Sequence, residues 1–138
     1  MPVSTKPKGT TRGTIFREVA HQRWEDTQTL FDKKRYTGAI YLSGYAIECF
    51  LKYAVCKRKN IIYLPEELET HRWDILVHAA SLENEIKATR AMSLIYDALA
   101  EQWGPSLRYR AKKYPIGEAS KLYREMVELY AFLNELVP

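Results

Sequence analysis

Cysteine, glycine and proline are all scarce: two, six and six among 138 residues. A disulfide-stapled scaffold needs more of the first, and a low-complexity or collagen-like chain more of the others, so those classes are excluded. Cys49 and Cys56 stand seven residues apart on one expected helix, roughly 10 Å at the helical rise per residue. They cannot bridge each other or share one ion, and they read as core thiols in a reducing cytoplasm. Long apolar runs are missing too. Over the most apolar segment the longest charge-free run is Tyr36 to Ile47, 12 residues, against about 20 for a bilayer span. Residues 1–13 lack the apolar stretch of a signal peptide. No membrane partner is expected, and the location expected is cytoplasmic. Nor does one sign of charge dominate: 21 Lys and Arg face 17 Asp and Glu, for a net charge of +4. This leans only weakly toward an anionic partner. The HExxH spacing of zinc enzymes is absent, and neither metal nor cofactor is expected.

Apolar residues make up 46% of the chain, enough for one packed core in one domain. Residues 1–13 carry Lys6, Lys8 and Arg12 without an acid and read as a mobile basic tail. Residues 14–138 read as a single helical domain. No segment alternates with period two, so the fold class is all-α, a bundle of about five helices. The first spans about Thr14 to Lys33, with Phe16, Val19, Ala20, Trp24, Thr27, Leu30 and Phe31 at helical spacing. The second spans about Thr37 to Arg58. Thr70 is a suitable N-cap for a third from His71 to about Leu82. A fourth runs from about Glu85 to Trp103, stopped by Gly104-Pro105. The last starts at Pro115, with a stripe through Ala119, Leu122, Tyr123, Met126, Leu129, Tyr130, Leu133, Leu136 and Val137.

The second helix is the most informative. It is apolar nearly all round, which places it in the centre of the bundle, yet it carries Glu48 and Lys52. Charges rarely sit on a central helix unless paired or used. With Tyr41 and Tyr45 on the same face, they suggest the wall of a polar cleft. The third helix offers His71, Asp74 and His78 on one face, a carboxylate-oriented imidazole. Arg72 and His78 form an R-x5-H spacing, though positions six apart on a helix diverge. Arg108, Arg110, Lys112 and Lys113, interleaved with Tyr109 and Tyr114, form a basic aromatic loop just before a helix. Such a loop suits phosphate and base contacts, or else is a solvated linker.

Three stretches together resemble a HEPN domain. Tyr36-Thr-Gly-Ala-Ile-Tyr-Leu-Ser-Gly-Tyr-Ala-Ile-Glu48-Cys-Phe-Leu-Lys52 is similar to that family's second-helix signature. Thr70-His71-Arg72-Trp73-Asp74-Ile75-Leu76 is similar to its H-D-L-x-x-L segment. Leu107-Arg108-Tyr109, followed by a long helix, resembles its R-Y loop. The resemblance implies a helical bundle, often dimeric, with a polar cleft. It implies an RNase, an RNA-binding toxin or a nucleotide binder, often encoded beside a minimal nucleotidyltransferase. Carried over, Glu48 and Lys52 line the cleft, His71 faces it and Arg108 is the motif arginine. Two positions depart from the pattern. Arg72 stands where the family has Asp, and Tyr114 stands where its catalytic His falls after the arginine.

The expected function is binding of RNA or a nucleotide, as a toxin–antitoxin component with weak or absent metal-independent ribonuclease activity. His71 and Arg108 are the catalytic candidates; Tyr45, Glu48, Lys52, Arg72, Asp74, Arg110, Lys112, Lys113 and Tyr114 are the binding candidates. A homodimer is expected. The alternative is a catalytically silent protein that docks a partner such as a minimal nucleotidyltransferase.

Overall fold

The computed structural model of the chain describes residues 10–104, 107 and 113–138. Regular structure among them is helical throughout: α1 (Gly13–Asp32), α2 (Tyr36–Lys59), a 3-10 turn (Glu66–Leu68), α3 (Trp73–Ala79), α4 (Glu83–Lys87), α5 (Arg90–Gln102) and α6 (Ile116–Leu136). The all-α expectation therefore holds, with six α-helices among the described residues rather than five. None of them is long and apolar enough to cross a membrane.

A short turn through Lys33, Lys34 and Arg35 folds α1 back along α2, and Lys34 takes the left-handed backbone (φ 63°) that reverses the chain. At the other end Asn60, also left-handed (φ 54°), closes α2, and the Ile61 N–H donates to the Cys56 carbonyl at 2.9 Å. This is the usual way a helix satisfies its last carbonyls. The chain then pairs with the segment before α1. The Gly13 N–H donates to Ile62 O at 3.0 Å, and Leu64 N–H to Thr11 O at 3.0 Å. Residues 11–13, expected in the basic tail, are therefore tied to the bundle; residues 1–9 lie outside the described residues.

Helix α2 forms the centre, as its all-round apolarity requires. It packs against α1, α3 and α6. Ile47, Phe50, Ala54 and Val55 are fully covered, and Leu51 nearly so. Helix α6 buries Ala119, Leu122, Met126, Leu129, Tyr130 and Leu133, and Val137 is buried just beyond it; Tyr123 and Leu136 of the expected stripe are only partly buried.

Two expected helices are shorter than their patterns suggest. Helix α3 begins at Trp73, because the Thr70 hydroxyl accepts from the Arg72 N–H at 3.2 Å and so forms a local turn instead of a helix cap. It ends before Ser81, whose left-handed backbone (φ 56°) steers Leu82 into the core. The expected helix from Glu85 to Trp103 is two helices. Thr89 has an extended backbone and accepts from Met92 N–H at 3.3 Å, so it caps a new helix, α5, after the short α4.

Trp103, the residue after α5, lies flat against α2. Its Nε1 donates to the Tyr41 carbonyl at 3.0 Å, and it stacks on Trp73 with ring centroids 5.5 Å apart. Gly44 makes the approach possible, since a Cβ there would fall 1.9 Å from Trp103 Nε1. Gly44→Ala is therefore expected to destabilise the fold by about 1–3 kcal/mol through forced displacement of the indole. This should be read as a clear fall in Tm by circular dichroism. Gly38→Ala is the control. A Cβ there meets only Leu30 Cδ1 at 3.6 Å, and the change should stabilise by about 0.5–1 kcal/mol.

Candidate functional site

Glu48 comes from the middle of α2, where both flanking turns are apolar, and its carboxylate has no access to solvent. An isolated buried carboxylate costs several kcal/mol, on the order of what a small domain can spare. Two partners compensate it. Lys52, one turn on, donates from Nζ to Glu48 Oε2 at 2.9 Å. His71, from the segment leading into α3, places Nδ1 2.9 Å from Glu48 Oε1. Each oxygen thus has its own nitrogen. The Lys52 ammonium also lies 5.5 Å from the centroid of the Phe16 ring on α1, a contact that favours a cation.

The histidine is the exposed end of this chain of contacts, with 59% of its side chain open while Glu48 is sealed. A buried carboxylate that holds one ring nitrogen sets the imidazole's orientation and leaves the other nitrogen free. His71 stands at an open cleft of about 620 Å³, lined also by Arg72, Trp73, Asp74, Glu101 and Trp103. The cleft can position an imidazole for proton transfer to or from a bound group.

The other expected site residues divide. Arg72 and Asp74 both line the cleft but neutralise each other, with Arg72 Nη2 2.7 Å and Nε 3.2 Å from the two Asp74 oxygens. With Glu101 beside them, the cleft walls among the described residues carry no excess of positive charge. The expected face of His71, Asp74 and His78 does not form. His71 precedes the helix and reaches Glu48; His78 Nδ1 lies 3.0 Å from Glu83 Oε1 and lines a different hollow. The R-x5-H spacing of Arg72 and His78 therefore brings nothing together.

Tyr45 does not line the cleft. It bonds to the Cys49 thiol one turn on, and burial, helped by that thiol and by Glu48, pushes its hydroxyl up to about 12. Cys49 is raised to about 11, first by burial and then by the Glu48 carboxylate. Both groups are neutral and inert at ordinary pH. Tyr114 packs into the core, 7% exposed, so it does not stand in the cleft where a catalytic base would be needed. Lys113 is exposed at a separate cavity. Arg108, Arg110 and Lys112 lie outside the described residues. Sequence reasoning missed Trp73 and Trp103 as cleft walls; the only signal was their size beside His71 and beside the Gly-Pro stop.

No protein-family model, curated protein or solved structure matches the chain.

Removing one member of the buried pair exposes its energetic role. Glu48→Ala leaves the Lys52 ammonium, 8% exposed, without a counter-charge and should cost about 3–5 kcal/mol in denaturant unfolding. Glu48→Leu combined with Lys52→Met removes both charges and should recover much of that loss. A double variant less stable than Glu48→Ala would show that the pair is not held by charge.

Proposed function

We propose that the protein is a HEPN-type module that binds RNA or a nucleotide at the His71 cleft, with cleavage weak or absent. The observation that carries this reading is the buried Glu48 carboxylate gripping His71 Nδ1 at the cleft mouth. A buried acid on a central helix is costly, and one that orients an exposed imidazole has a use for that cost. The resemblance to HEPN signatures supports the choice of ligand.

Weak cleavage follows from a count of proton carriers. Metal-independent RNA cleavage moves one proton off the 2′-hydroxyl and another onto the leaving 5′-oxygen. The described cleft offers one imidazole. Its remaining acid–base groups are Asp74, bound to Arg72, and Glu101. Tyr114, at the family's second-histidine position, is in the core. Arg108 is assigned to the phosphate charge by the resemblance alone.

Fluorescence anisotropy with a labelled single-stranded RNA tests the reading. Binding should weaken steeply with salt as phosphate contacts release counterions, and Arg108→Ala should cost about 1–3 kcal/mol. His71→Ala should weaken binding without unfolding the protein. Absence of binding at low salt sinks the proposal. Efficient cleavage that His71→Ala abolishes would make the protein an enzyme and overturn the weak-cleavage half.

The same reading includes a homodimer. Ile15, Ile61 and Ile62 are 38%, 37% and 61% exposed, and the Gly13–Ile62 hydrogen bond brings their segments together. Light scattering at tens of micromolar should give twice the 16.1 kDa chain mass, and Ile62→Glu should halve it. A monomer in the unmutated protein would remove the dimer from the proposal.

A further inference from the structure

A cluster of cations lies away from the His71 cleft, at the amino end of α2. There the α1–α2 turn and the residues before α6 enclose a cavity of about 450 Å³, lined by Leu30, Lys34, Arg35, Tyr36, Gly38 and Lys113. That volume suits a small ligand, for which pockets run about 300–1,000 Å³. Lys34, Arg35 and Lys113 are exposed, and none forms an ion pair among the described residues. Three like charges thus meet at one concavity with no acid among its described lining residues. Their position adds to the imbalance. Arg35 is the N-cap of a 24-residue helix that has no side-chain cap and no acid in its first turn, so it sits at the end where a helix favours anions. Lys34 gains something from the carboxyl end of α1. Lys113 has no such helix end to complement. It is brought in from the far side of the sequence by its neighbour Tyr114, whose N–H donates to Thr37 Oγ1 at 3.3 Å and whose ring is anchored in the core.

The cavity also has an apolar side. Leu30 lines it, as does the half-buried Tyr36 ring, which is braced edge-on by Phe31 at 5.2 Å between centroids. Cations beside an aromatic and an aliphatic wall match a phosphate joined to a flat, weakly polar group.

We propose that this cavity binds the phosphate of a nucleoside phosphomonoester. Lys34, Arg35 and Lys113 hold the phosphate, and Leu30 and Tyr36 receive the nucleoside. The ligand is either a free mononucleotide or the 5′-phosphorylated end of an RNA strand. The site is distinct from the His71 cleft, with no lining residue in common, and does not rest on the reading of that cleft.

Calorimetric titration separates these cases. AMP should bind at least about tenfold more tightly than adenosine, because adenosine makes no charged contact. The Lys34→Ala/Lys113→Ala double variant should lose about tenfold or more, while Lys87→Ala, at an exposed lysine that lines neither cavity, should bind AMP as the unmutated protein does. Gly38→Glu is an independent arm. The position is exposed, and a Cβ there meets only Leu30, so the new carboxylate enters an open, cationic site. This variant should melt at a higher temperature than the unmutated protein and should lose AMP binding. A short RNA with a 5′-phosphate, compared with its 5′-hydroxyl form, identifies the source: tighter binding of the phosphorylated strand assigns the pocket to strand ends, and binding of AMP alone assigns it to free nucleotides. The proposal is overturned if AMP binds no better than adenosine and the two RNAs bind alike. It is also overturned if the double variant and Gly38→Glu both bind AMP normally. Loss of AMP binding in His71→Ala but not in the double variant would move the nucleotide to the cleft, ending this inference while leaving the cleft reading intact.

Discussion

A single carboxylate in the middle of the central helix constrains much of the rest of this structure. Glu48 has no contact with water, so its charge must be met from within. Lys52 meets it from one turn along the same helix, and His71 meets it from a segment 23 residues away in the chain. The second contact matters more for architecture. It fastens the loop before α3 to α2, and so fixes one wall of the cleft. Pulling His71 toward Glu48 is compatible with a helix that starts only at Trp73, since the backbone from Thr70 to Arg72 is then free to form its own turn.

Aromatic packing supplies the rest of the cleft and much of the core. Trp73, Trp103 and Tyr41 form one stack across α3, the end of α5 and α2. A second runs between α1 and α6. Trp24 lies on Tyr130 at 4.3 Å, and Phe31 on Tyr123 at 4.0 Å, each nearly parallel. Tyr130 closes this array through a 2.7 Å hydrogen bond to His21. The chain carries ten tyrosines and three tryptophans. Stacking within the bundle absorbs many of them: Trp103 Nε1 reaches the Tyr41 carbonyl and the Tyr130 hydroxyl reaches His21, whereas Trp73 Nε1 and the Tyr96 hydroxyl are buried without a hydrogen-bond partner among the described residues.

Charge is distributed in a way that net charge conceals. The cleft beside His71 contains a neutralised arginine and acids, whereas three cations with no ion pair among the described residues gather at the start of α2. A value of +4 describes neither place. Among the described residues the His71 imidazole and the cations Lys34, Arg35 and Lys113 line separate cavities.

The sequence by itself determined the helical class, the central and most buried position of α2, and the buried stripe of α6. These follow from local periodicity, which one chain segment carries alone. The pairing of Glu48 with Lys52 was legible for the same reason, because a one-turn spacing on a helix sets the distance. Tertiary structure alone decided what non-periodic segments do. It broke the expected helix over 85–103 at Thr89, shortened α3, sent Tyr114 inward, and parted His78 from His71 and Asp74. It also seated Trp103 on Gly44 and carried Lys113 to Lys34 and Arg35. Each of these depends on the path of a turn or loop, where a few competing hydrogen bonds and one buried side chain choose among near-equal local conformations. No spacing rule records that choice, because the energy that makes it comes from residues distant in the chain.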